Sequence, residues 1–165
     1  MLRLAVSSDI VRIMEIIDEA KVYFKEAGID QWQNGYPNAE TIAHDISNNE
    51  SYVYESSENI VATLMISLRP EPTYATIDGN WSLDSDYATI HRIAVSSAYK
   101  GQGFAKKTLS AAMEQILRQN VKQIRIDTHE DNLVMINYLL SSGFKYCGII
   151  ELSDGNKRNA YDKII

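Results

Sequence analysis

The sequence predicts an α/β fold in which a mixed central β-sheet is flanked by helices, formed as a single domain. Three observations carry this. The second half of the chain alternates strand, helix, strand, helix, strand, the order that builds right-handed βαβ crossovers. The run YATIHRIAV (87–95) is rich in β-branched residues and apolar on both faces near its end, as a buried central strand requires. At 165 residues the chain is long enough to bury a core, and no repeat, low-complexity tract or Pro/Gly/Ser-rich linker divides it.

The elements follow in order. LRLAV (2–6) is a short strand, after which Ser7 or Ser8 caps a helix whose Ile10, Ile13, Met14, Ile17, Lys21 and Phe24 share one face. Gly28 ends that helix, and the turn-rich stretch IDQWQNGYPN (29–38) carries Trp32 and Tyr36. A shorter helix over 39–48 is capped by Asn38. SYVYESSENIVATLMISL reads as a hairpin around Ser57-Glu58-Asn59, and 70–86 as irregular chain with three acidic side chains, Asp78, Asp84 and Asp86. Beyond the central strand, Ala105, Leu109, Ala112 and Ile116 step by four, three and four along a helix over 103–119. VKQIRID (121–127) alternates as a strand, and DNLVMINYLLSSG (131–143) is a helix with Asn132 near its start and Gly143 at its end. FKYCGIIEL and NAYDKII flank the hairpin signal Asp154-Gly155.

Composition narrows the function. A net charge of −6 and a pI near 5.0 argue against nucleic acid as the main partner, because phosphate backbones demand a basic footprint. Lys100, Lys106 and Lys107 form a local basic patch suited to a small anion. Cys147 is the one cysteine, so neither an internal disulfide nor a cysteine-built zinc site is expected. Arg3 and Asp9 interrupt any N-terminal apolar stretch, and no apolar run reaches the ~18 residues of a membrane span. A cytoplasmic location and no membrane partner are the expectations.

The segment AVSSAYKGQGFAKKTL changes character at two glycines one residue apart, Gly101 and Gly103, at the mouth of a helix. A plain turn opening a helix accounts for them, and so does an anion cradle. Glycines adopt positive φ and let a ligand approach the backbone, while the first N–H groups of a helix lack internal partners and face the positive end of its dipole. A P-loop is absent, and a dinucleotide fingerprint is excluded by Lys106, which stands where its third small residue belongs.

The stretch HRIAVSSAYKGQGFAKKTL resembles the acyl-CoA-binding core of the GCN5-related N-acetyltransferase (GNAT) family. That family carries Q/R-x-x-G-x-G/A after its fourth strand; residues 100–105 read Lys-Gly-Gln-Gly-Phe-Ala, with Lys100 in place of the usual Gln or Arg. DNLVMINYLLSSGF resembles a second family segment through Asn132, Met135, Gly143 and Phe144, and the order of elements matches over nearly the whole chain. The resemblance implies a GNAT-like fold and acetyl-CoA as co-substrate, without a metal. It places the diphosphate on backbone N–H groups of Gly101, Gln102, Gly103, Phe104, Ala105 and Lys106, beside Lys100. It lays the pantetheine arm along Ile93, Ala94 and Val95, adds a contact from Asn132, and puts the thioester in a crevice where strands 87–95 and 121–127 splay apart. Lys106 and Lys107 as solvated helix lysines, and Asn132 as a helix cap alone, are the plain alternatives.

Acetyl transfer to an amine needs a neutral nucleophile, a polarised carbonyl and a proton for the departing thiolate. His91, on the strand leading to the cofactor loop and on the same side as Thr89, Ile93 and Val95, is the first candidate for the base; branches of the family carry a histidine base in a corresponding context. His129, at the end of the next strand, and a water are the others. Val95 N–H is the candidate oxyanion donor. The family's usual acidic tyrosine falls at Leu139 here, so Tyr138, rotated by about 100° on the helix, is the candidate general acid. Trp32, Tyr36 and His129 are candidates for the acceptor side, where the nearby acidic surplus favours a cationic amine. The function expected is acetyl-CoA-dependent N-acetyl transfer to a primary amine of a small molecule or peptide, by a monomer or homodimer. A non-catalytic acyl-CoA-binding sensor is the alternative.

Overall fold

The computed structural model describes residues 1–165. Its elements run β1 (Leu2–Leu4), a 3-10 turn (Ser7–Asp9), α1 (Ile10–Glu26), α2 (Ala39–Ser47), β2 (Ser51–Ser56), β3 (Asn59–Ser67), β4 (Asp78–Gly79), β5 (Ala88–Val95), α3 (Phe104–Arg118), β6 (Gln123–Thr128), α4 (Leu133–Ser141), β7 (Lys145–Glu151) and β8 (Lys157–Ile164). The eight strands form one mixed sheet in the order β1-β2-β3-β5-β6-β8-β7-β4, so the α/β class and the central place of β5 are as the sequence predicts. The chain divides into two compact units, Met1–Ile66 with His91–Gln115 and Ser67–Ile90 with Ile116–Ile165. No helix is long and apolar enough to cross a membrane.

In the first unit, Ile13, Ile16 and Ile17 of α1 are wholly buried, each worth about 1.5–3 kcal/mol over exposure. Ile16 lies beside the predicted stripe, because the buried face is wider than a single row of side chains. Lys21, placed on that stripe, instead turns its ammonium to the Pro37 carbonyl at 2.7 Å. The expected serine cap is also replaced. Ser7 and Ser8 enter the 3-10 turn without capping, and Asp9 accepts the Val6 N–H at 2.8 Å while Arg3 grips its carboxylate at 2.7 Å. At the other end, Gly28 at φ +70° lets Ile29 N–H reach the Phe24 carbonyl at 2.8 Å, the closure expected of a helix-ending glycine. Asn38 caps α2 by accepting Thr41 N–H at 2.9 Å, as predicted. The β2–β3 turn holds Ser57 and Glu58 both at positive φ, the conformation of a two-residue hairpin loop.

In the second unit, β5 and β6 are parallel through Ala88↔Ile124 and Thr89↔Arg125, and β8 lies between β6 and β7, antiparallel to both. Asn132 caps α4 by accepting Met135 N–H at 3.2 Å, and Gly143 follows the helix at φ +85°. The hairpin expected at Asp154-Gly155 forms with a three-residue loop: Leu152 N–H meets the Asn156 carbonyl at 2.8 Å, and Gly155 takes the left-handed position.

The stretch read as irregular acidic chain is organised by its aromatic residues. The Arg125 guanidinium lies 3.9 Å from the Tyr87 ring centre and 4.5 Å from that of Trp81, and Tyr74, 2% exposed, donates its hydroxyl to Asp127 at 2.6 Å. Asp162, wholly buried, accepts Ser82 N–H at 2.6 Å, Ser82 hydroxyl at 2.7 Å and Gln123 Nε2 at 2.9 Å, which clips the stretch to β8. The same stretch supplies β4, whose Gly79 faces Gly148. A Cβ on Gly148 would stand 2.2 Å from the Asp78 carbonyl oxygen, and one on Gly79 2.1 Å from that of Cys147. Gly148→Ala is therefore expected to detach β4 and cost about 1–3 kcal/mol. Denaturant unfolding measures the loss, and hydrogen exchange at residues 78–80 locates it; unchanged stability and exchange would contradict this account.

Candidate functional site

β5 carries the first part of the site. Its backbone departs from a regular strand at Arg92, φ +53°. A left-handed residue within a strand re-aims the neighbouring side chains, so the regular alternation that put His91 on one face with Ile93 and Val95 does not hold across it. His91 and Ile93 are half-buried, Ala94 is buried and Val95 half-buried. The Arg92 guanidinium donates to Asp45 Oδ2 at 2.6 Å and to the Tyr36 hydroxyl, with the Tyr36 ring centre 5.8 Å away. Burial pushes the Asp45 carboxyl above its ordinary range even though Arg92 pulls the other way.

Beyond β5 the chain is held down before it reaches the glycines. Ser96 N–H bonds the Val61 carbonyl at 2.9 Å, and Ser97 N–H donates to the Glu19 carboxylate. Burial alone would raise the Glu19 carboxyl; hydrogen bonds from Ser97 and Ser96, with the charge of Arg12, prevail and hold it below its ordinary value. Residues Ser97–Tyr99 make a 3-10 turn, and Gly101 and Gly103 follow at φ +76° and +77°. A Cβ at either glycine would meet nothing within 4 Å. The glycines are thus required by the backbone angle, and the space above them is open. Lys107 N–H to the Gly103 carbonyl, 3.1 Å, lies at the opening of α3. Phe104, 8% exposed, seats that opening edge-on against Tyr99 and Tyr54.

The three lysines of the basic patch have separate surroundings. The Lys100 ammonium lies 4.9 Å from the Tyr23 ring centre and that of Lys107 4.5 Å from Phe104, attracted by the ring faces. Lys106 is exposed, Ala105 is half-buried, and Gln102 donates to the Ala98 carbonyl at 3.2 Å. Trp32 packs edge-on against Phe24, ring centres 5.4 Å apart, and belongs to the core beside Ile13, Ile17 and Ile42. Tyr36 remains 42% exposed.

In the second unit, His129 Nδ1 accepts Asp131 N–H at 3.1 Å and so helps form the turn into α4. Asn132 is buried, its Oδ1 on Met135 N–H and its Nδ2 on the Thr128 hydroxyl at 3.2 Å. Leu139 is wholly buried, so the position of the family's tyrosine is spent on the core. Tyr138 is half-buried, its phenol pushed up to about 12 by burial against an opposing hydrogen bond with Ser142. Burial, with Asp162 beside it, lifts the Cys147 thiol to about 11, which leaves it in the unreactive protonated form. His44 engages Asn48 on the surface of α2, and no group of three or more His, Cys, Asp or Glu side chains is arranged to hold a metal ion.

Asp45, Arg92 and Glu19 are the residues that sequence reasoning passed over. Asp45 stands three residues from Ile42 on the apolar face of its helix, and Arg92 interrupts an apolar strand. Each is a charge where the pattern calls for an apolar residue.

Strand order, the irregular central strand and the glycine turn opening α3 define a mixed-sheet α/β fold with an open, anion-suited helix mouth. The acetyltransferase (GNAT) family profile matches residues 12–144, and the chain belongs to that family. It is similar along its whole length to a GNAT-family acetyltransferase of known structure from Streptococcus agalactiae 2603, at 36% identity and a TM-score of 0.92, covering 95% of that chain. The uncharacterised N-acetyltransferase YesJ of Bacillus subtilis is 25% identical over 150 residues, 87% of this chain and 81% of that protein. The PaiA N-acetyltransferase of Thermoplasma acidophilum, solved in complex with coenzyme A, shares the fold at a TM-score of 0.73 and 15% identity, with 100% of this chain and 98% of that one covered.

Proposed function

We propose that the protein is an acetyl-CoA-dependent N-acetyltransferase acting on a primary amine of a small molecule or peptide. The observation that carries the reading is the pair of left-handed glycines at the opening of α3 with open space where their side chains would be. That geometry fits a diphosphate: a Cβ at either position would occupy the approach, and a helix opening favours an anion. Gly101, Gln102, Gly103, Phe104, Ala105 and Lys106 would hold the diphosphate, with Lys100 adding positive field, and Ile93, Ala94 and Val95 would take the pantetheine arm. The family membership and a fold relative crystallised with coenzyme A support the same assignment.

Bound acetyl-CoA would supply an acetyl group activated as its thioester. The chain's own part is to deliver a neutral amine and accept developing charge. A free alkylamine, with a pKa near 10, is almost wholly protonated at neutral pH. His91 is the proposed base, Val95 N–H the oxyanion donor and Tyr138, protonated throughout the physiological range, the proton donor to the thiolate. Asn132 contributes by fixing the first turn of α4, and Tyr36 and His129 are assigned to the acceptor, with Trp32 bracing the loop that carries Tyr36. The reading includes one catalytic domain over residues 1–165, a cytoplasmic monomer or homodimer, and no metal, nucleic acid or membrane partner.

One observation favours a second reading, a non-catalytic acyl-CoA sensor: the wholly buried Leu139 at the usual tyrosine position. Titration calorimetry with coenzyme A, paired with thiol release from acetyl-CoA in the presence of spermidine, tobramycin or a lysine peptide, separates the two. Amine-dependent release is the expected result. Binding without release across the panel would favour the sensor, and absence of binding would remove both.

A further inference from the structure

We infer that Asp45, Arg92 and Tyr36 form a positioning chain for the acceptor side of the reaction, in which Asp45 fixes the Arg92 guanidinium and Arg92 fixes the Tyr36 hydroxyl. This rests on the acetyltransferase reading above. Six non-glycine residues have positive φ; Trp32, Asn49, Ser57, Glu58 and Asn120 lie in loops and turns, and Arg92 alone lies within a strand. Arg92 carries a second cost, because its Nε–H is buried with no hydrogen-bond partner. Two such costs at one residue persist only where the surroundings over-determine its conformation, and they concentrate at functional sites.

What over-determines Arg92 is on either side of it. Its side chain is 9% exposed and that of Asp45 5%, joined at 2.6 Å, so one partner cannot be lost without leaving a buried charge. A buried ion pair is a poor source of net stability but a good source of fixed geometry. Its second donor runs to the hydroxyl of Tyr36, whose ring is otherwise exposed on the loop between α1 and α2. Arg92 also directly follows His91, so one guanidinium ties the backbone of the proposed base to the loop proposed to meet the amine.

Hydrogen exchange over residues 30–38 and steady-state kinetics on Arg92→Met, Arg92→Lys, Asp45→Asn and Tyr36→Phe test the chain. In Arg92→Met and Asp45→Asn, exchange over 30–38 is expected to accelerate at least about tenfold, from loss of a charge-assisted hydrogen bond. KM for the amine, using whichever of spermidine, tobramycin and a lysine peptide the wild type acetylates, rises by a similar factor, while coenzyme A affinity stays within about twofold. Arg92→Lys gives no rescue, since an ammonium lacks the fork that spans both partners. Tyr36→Phe raises the amine KM in the wild type and adds nothing in Arg92→Met, the non-additivity of one linked unit. Unchanged exchange, an unchanged amine KM, or additive effects would each overturn the inference. If Arg92→Met does not fold, Arg92→Lys and Asp45→Asn carry the same readouts. Should the wild type release no thiol with any amine, the acetyltransferase reading falls, and exchange over 30–38 alone decides whether Arg92 orders the loop.

Discussion

His91→Ala is expected to lower amine-dependent acetyl transfer by roughly 10²–10⁴-fold, the span of a positioned general base, with coenzyme A affinity within about twofold of the wild type. The split follows from where His91 stands: on β5, ahead of Arg92, and ten residues before Gly101. The Gly101–Gly103 turn has its own left-handed backbone and its own anchor in the Glu19 carboxylate on Ser97 N–H, so coenzyme A affinity reads the turn separately from the base. A half-buried histidine kept only for packing would show the opposite pattern, a stability loss with little loss of rate per folded molecule. Added imidazole sharpens the distinction, because it restores part of the rate only where the missing group moved a proton. Full activity in His91→Ala would shift the role to His129 or a water. His129 Nδ1 accepts Asp131 N–H, so proton acceptance at that nitrogen would require the bond to open.

What was legible in the sequence was local. The glycine turn, the Asn38 and Asn132 caps and the hairpin at Ser57-Glu58 each write their signal within a few residues, because each works through the backbone of its own neighbourhood. The centre of the sheet was legible for a related reason: its β-branched residues and an end apolar on both faces mark 87–95 as a covered strand. Contacts that cross the chain were not. Arg92 and Asp45 are 47 residues apart, and no periodicity joins an arginine in a strand to an aspartate in a helix. The Tyr74–Trp81–Tyr87–Arg125 cluster was hidden in the same way, as aromatic residues in a segment whose acidic side chains drew attention. β4 escaped because a two-residue strand has no alternation to read, and exists because two glycines let backbones meet where any side chain would collide.

Glycine itself shows how much a residue letter leaves open. At Gly79 and Gly148 the backbone approaches too closely for a Cβ; at Gly101 and Gly103 a Cβ would meet nothing within 4 Å, and the left-handed angle is the requirement. The sequence writes all four alike. The difference decides what substitution does, since a crowded glycine fails through the fold and an open one fails through whatever enters the opening.

Joint replacement of Gly101 and Gly103 by valine is accordingly expected to weaken coenzyme A binding by on the order of a hundredfold or more, about 2.7 kcal/mol, with a smaller loss of stability. β-branched valine is poorly suited to positive φ, so the turn must rebuild and its amides leave the positions in which they face an anion. Asparagine separates the two effects, because it tolerates the left-handed angle while still carrying a side chain into the open space. Gly101→Asn with Gly103→Asn should melt close to the wild type and yet bind coenzyme A weakly. If that variant binds as well as the wild type, the open space is not where the diphosphate goes. If the valine variant also binds normally, the turn has no part in holding the cofactor, and the proposed acetyl-transfer chemistry loses its anchor, because the thioester position relative to His91 is set by where the other end of the same molecule is held.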